Sequence, residues 1–93
     1  SGATALHHAA IRGQVELVRA LLAARPDLTI RDRHHRSSPL GWACYGADFV
    51  RDEGGDYTGC VRALIDAGAR FVGDEWRANE GAVAEELRRA GVG

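Results

Sequence analysis

The stretch VRALLAA, residues 18–24, returns as VRALIDA at residues 61–67. A chain of 93 residues that spends two of its few apolar segments on one phrase must build the same local structure twice, so self-similarity is tested first. Two registers emerge. At an offset of 34, Thr4 falls on Ser38, Leu6 on Leu40 and Ala9 on Ala43; at 43, residues 18–22 fall on residues 61–65. The registers differ by nine residues, which predicts an insertion in the second copy. The segment ADFVRDEGG, residues 47–55, fits it, being rich in carboxylates and ending in Gly-Gly with no helical period.

Each copy reads as two short helices. Val15, Val18, Leu21 and Leu22 share one helical face, while Glu16 and Arg19 point elsewhere. The Ala-rich segment 5–12 suits close packing against a neighbouring helix, with Gly13 ending it. In the second copy Pro39 fits a first helical turn and Ser38 can cap it, the Gly46 region ends the helix, and residues 57–67 form the fourth helix, closed by Gly68. The tail, residues 74–93, does not repeat. Val83, Leu87 and Ala90 make a narrow apolar stripe beside a broad charged face, with Asn79 to start the helix, Gly91 to end it, and a Glu85–Arg89 pair. Trp76 is expected to pack against the second unit beside this helix.

These residues carry a resemblance. GATALHHAAIRGQVELVRALL looks like one ankyrin repeat, with Thr4-Ala5-Leu6-His7 in place of T-P-L-H, and SSPLGWACYG followed by GCVRALIDAGARF is similar to a second, with Gly41 where a histidine is expected. The resemblance implies an all-α, ankyrin-like helix-turn-helix solenoid: repeat 1 over about residues 2–31, repeat 2 over about 32–73 with insertion 47–55, and a capping segment over 74–93. It also implies a fragment of a longer array, whose first unit lacks a polar cap and is open to self-association.

Composition narrows the functions. No apolar run approaches the roughly 20 residues of a membrane span, and residues 1–6 show no secretory pattern, so no membrane role and a cytoplasmic location are expected. All twelve cations are arginine, a composition expected of a GC-rich, bacterial genome. A formal net charge of −1, with no aromatic platform among the arginines, argues against nucleic acid. Cys44 and Cys60 sit among apolar residues and read as free, reduced thiols.

The chemistry-bearing residues predict neither a cofactor nor a catalytic centre. His7-His8 and His34-His35 are adjacent pairs, which diverge on a helix, and no C-x-x-C or H-x-x-x-H occurs, so no metal site is expected. By resemblance, His7 ties its turn to neighbouring backbone, and His8 lies one repeat from Trp42 and should stack with it. Ser37 and Ser38 near His34 and His35 lack a third group to orient the imidazole. Asp48, Asp52, Glu53 and Asp56 do not follow a calcium-loop order and read as a flexible acidic loop, anchored by Phe49. Residues 31–38, RDRHHRSS, form a basic hairpin tip in which Asp32 offsets part of the charge.

The resemblance implies protein–protein recognition through hairpin tips and the inner-helix surface. The contact residues expected are Ala3, Ile11 and Arg12 in the first unit and Arg33, His34, Arg36, Tyr45 and Gly46 in the second. The alternatives are a non-catalytic regulatory or targeting module of a larger enzyme, or a metal-dependent site built from His7, His34 or Cys44.

Overall fold

Apolar residues at helical spacing, preceded in α1, α3 and α4 by a capping side chain, dictate where the chain coils. The computed structural model describes residues 2–92. Among these residues there are five α-helices and no strand: α1 Ala5–Ile11, α2 Val15–Leu22, α3 Pro39–Tyr45, α4 Tyr57–Asp66 and α5 Gly81–Arg89. Thr4 Oγ1 accepts the His7 N–H while His7 Nδ1 accepts the Thr4 N–H, a capping box closed by an imidazole. Ser38 caps α3 with Pro39 in its first turn, and Asp56 caps α4 through the Gly59 N–H.

The helices pack as two successive pairs. α1 lies on α3 and α2 on α4, with α5 against α4. Leu6, Ala9, Ala10, Leu40, Ala43 and Cys44 from the first layer meet Val18, Cys60, Val61 and Leu64 from the second in one core. The repeated phrase shows what neighbours do to one sequence. Val18 and Val61 are both fully buried, but Leu64 and Ile65 are buried where Leu21 and Leu22 are half-buried, because α4 has α2, α3 and α5 against it and α2 has fewer partners. Arg62 likewise finds Glu86 of α5 at 3.0 Å, whereas Arg19 turns back to Glu16 of its own helix.

Three local expectations are corrected. The insertion is not irregular throughout: Gly46–Val50 continue α3 as one π-helical turn, with the Arg51 N–H donating to the Gly46 carbonyl at 2.8 Å. A helix absorbs extra residues in this way by widening its turn. Asn79 does not cap α5, because the helix starts at Gly81 and the cap position falls on Glu80, whose side chain makes no capping bond. Arg89 reaches Glu86 at 3.4 Å rather than Glu85, since Glu86 faces α4 and already holds Arg62. At the other end of α5 the chain turns at Gly91 as expected, with the Val92 N–H donating to Leu87.

Candidate functional site

The basic tip is built around a buried carboxylate. Asp32 is 1 % exposed and accepts the His35 N–H at 2.7 Å, the Ser37 N–H at 3.0 Å and the Trp42 indole N–H at 3.0 Å. Burial alone would raise its pKa, but the amides of His35 and Ser37 and the Trp42 indole outweigh that effect and hold it at about 2. Asp32 is therefore the staple of the tip and not a solvated counter-charge to its arginines. Its grip leaves Arg33, His34, His35 and Arg36 exposed, with Arg36 in the left-handed region at φ 53°.

Trp42 joins the tip to the helices. The His7 ring meets it edge-on at 5.1 Å, His8 at 5.4 Å and His35 at 6.2 Å, so the expected contact between His8 and Trp42 is present. His7 also ties its unit to the next, as expected: with Nδ1 accepting from Thr4, Nε2 is left to donate to the Ser37 carbonyl at 2.9 Å. The second unit has Gly41 at the matching place, and Glu75 does the work instead. This carboxylate, 7 % exposed, accepts the Ser38 N–H at 2.7 Å, the Ser38 hydroxyl and the Val72 N–H at 2.6 Å.

Beyond α3 the π-helical turn carries aromatic side chains to the surface. Tyr45 and Phe49, one wide turn apart, have ring centroids 4.7 Å apart, and Trp76 meets Phe49 at 5.0 Å and Tyr45 at 6.2 Å. Trp76 thus packs on the second unit, as expected, and Phe49 anchors there. Yet Phe49 stays 57 % exposed, Tyr45 45 % and Trp76 40 %. The Trp76 indole N–H donates to Asp48 at 2.8 Å, which fixes the ring against the turn.

The return of the insertion is strapped to the first unit. The Tyr57 hydroxyl donates to the Ile11 carbonyl at 2.9 Å and accepts the Asp52 N–H at 3.1 Å, the Asp56 N–H reaches Gly13, and Arg12 pairs with Asp52. Gly46 approaches the Ile11 carbonyl so closely that a Cβ there would collide with it. The expected contact residues separate accordingly. Arg33, His34, Arg36 and Tyr45 are exposed; Ile11 and Ala3 are half-buried; Arg12 is exposed but held by Asp52; Gly46 is buried and has no side chain to offer. Ile11 and Tyr45 come together on one cleft with Trp42 and Trp76. The expectation passed over Trp42, Phe49 and Trp76 as contacts, although the Tyr45–Phe49 spacing of four was there to read.

Both thiols are buried beneath this surface. Burial pushes both Cys44 and Cys60 up to about 12, which keeps them protonated and poor nucleophiles or metal ligands at neutral pH. Among the described residues no three of His, Cys, Asp and Glu are grouped to hold a metal ion, and no helix is long and apolar enough to cross a membrane.

Residues 1–33 match the ankyrin-repeat family model. Those residues carry an ankyrin repeat. The Thr4–His7 box and the α1–α2 pair lie inside the matched segment; the second helical pair lies outside it and carries a hydroxyl cap, Ser38, at the position that matches Thr4. No curated protein and no solved structure matches the chain. Ankyrin repeats are in general protein–protein interaction modules and typically non-catalytic.

Proposed function

We propose that this ankyrin-repeat chain is a recognition scaffold that holds a protein partner across the 32–37 tip and the surface of α3 with its π-helical extension. The observation that carries this reading is the exposed, mutually packed trio Tyr45, Phe49 and Trp76. Large aromatic rings left uncovered in water are costly, and a contiguous cluster of them, rimmed by polar groups, is the composition of an energetic anchor at an interface. Arg33 and Arg36 flank it as charged contacts that steer an acidic portion of the partner, with the exposed His34 ring between them.

A photo-activatable residue replacing Phe49 tests the assignment. In the native cells it forms a discrete protein adduct, whereas the same residue replacing Glu85 on the exposed face of α5 does not. Adducts from position 85 with none from position 49 reject the surface.

A second reading, self-association, draws on a different face. Leu17 and Ala20 are both exposed and lie three residues apart along α2, with Leu17 46 % accessible. A second copy seated there would give a sedimentation coefficient that rises with concentration and ceases to do so in Leu17→Glu.

A further inference from the structure

The aromatic cluster has an inner side. Trp42, Tyr45 and Trp76 wall a cleft of about 260 Å³, closed by Ile11 from α1. Asp74, exposed, and Glu75, buried, supply carboxylates to its lining, and His35 is the one basic side chain among the described residues that lines it. Both indole N–H groups are already committed, Trp42 to Asp32 and Trp76 to Asp48. The rings therefore have no donor left for a ligand and can offer one only carbon edges and π-faces. Each is further polarised by the carboxylate on its N–H, which concentrates negative charge on the ring. Among the described residues none of Asp32, Asp48, Asp74 or Glu75 is in an ion pair. The carboxylates that line the cleft, Asp74 and Glu75, and those that hold the indoles, Asp32 and Asp48, outnumber His35, the one basic side chain in its lining, so the cleft favours a cation over an anion.

We propose that this cleft receives an arginine side chain of the protein partner, its guanidinium stacked on the aromatic walls and its charge answered by Asp74. The proposal rests on the recognition reading above and adds the chemistry of the anchor. Guanidinium fits better than ammonium because it is planar, weakly hydrated and able to stack on a ring while donating to a carboxylate in its own plane. Glu75 contributes field only, since its oxygens are already taken by Ser38 and Val72.

The two tryptophans of the chain are both walls of the cleft, so their indole N–H resonances report on it without added labels at other sites. The probes are acetyl-Gly-Gly-Arg-Gly-Gly-amide, its lysine counterpart and its citrulline counterpart, the last being a neutral isostere. The arginine peptide shifts both indole signals saturably, about tenfold more tightly than citrulline, with lysine weaker than arginine. Asp74→Asn, at an exposed position, weakens the arginine peptide several-fold and leaves the citrulline peptide unchanged. Equal binding of arginine and citrulline, tighter binding of lysine, or no shift at about 10 mM peptide overturns the proposal. Those results leave the adduct from position 49 untouched, so the anchor can fail while the recognition surface stands; an arginine-specific shift with no such adduct rejects the surface instead.

Discussion

The Glu75 carboxylate occupies the space beside the α-carbon of Gly41 where any other residue would place its Cβ. A side chain from beyond α4 thereby closes the cap of α3 that, in the first unit, His7 closes from within its own helix. Gly41→Ala should therefore cost about 2 kcal/mol by forcing the carboxylate aside, and Glu75→Ala about 3 kcal/mol by leaving the Ser38 and Val72 amides unpaired. Because both changes break one arrangement, the double variant should lose less than the total of the two. Urea denaturation of the four proteins measures it.

Asp32 makes stability fall in acid. Its folded pKa, about 2, lies below the usual carboxylate value, so the folded chain binds fewer protons than the unfolded one through the interval between them. The stabilisation is present in full above pH ~4 and is lost as pH drops towards 2, amounting to about 2 kcal/mol. Comparing urea midpoints at neutral pH and in acid, Asp32→Asn should be less stable at neutrality and lose correspondingly less on acidification.

The cysteines should ignore alkylating agents until the protein unfolds. With both thiols pushed up to about 12 and fully buried, the thiolate fraction at mildly alkaline pH is negligible. Labelling rates should track global unfolding, with Cys44 and Cys60 modified together; fast reaction of either in the folded protein contradicts the packing.

Tyr57→Phe removes one hydroxyl that serves two units. It should lower stability by about 1 kcal/mol, and its distinctive signature is local: faster amide hydrogen exchange at Asp52, whose N–H loses the Tyr57 oxygen. Exchange in α5 should be unaffected apart from the global change.

Much of the helical frame was legible because short-range rules carry it. Ser38, Pro39 and the i, i+3, i+4 spacing of Val15, Val18 and Leu22 belong to single turns, and the resemblance of residues 4–7 was enough to place His7 at its cap. What escaped reading depends on residues distant in sequence or on a composition that reads as loop. Nothing local to Gly41 points to Glu75, which belongs to a non-repeating tail. The carboxylates and Gly-Gly of residues 47–55 read as an irregular loop, which places Phe49 in a different segment from Tyr45 despite their spacing of four. Asp32, standing among arginines, reads as charge balance, and only its three N–H donors show it to be a structural centre. The exposed tip was anticipated; the aromatic wall behind it was not, because Trp42 and Trp76 come from different parts of the chain.

The strap from the insertion to the α1–α2 turn, through Tyr57, Asp56 and Asp52, bears on how the molecule comes apart. In a stack whose members touch only along their helices, each member can melt at its own denaturant concentration. Here the second member cannot lose its loop without releasing the first, and the first cannot loosen its turn without stripping the second. The pair should therefore behave as a single thermodynamic block, with one sharp transition and no half-melted species between.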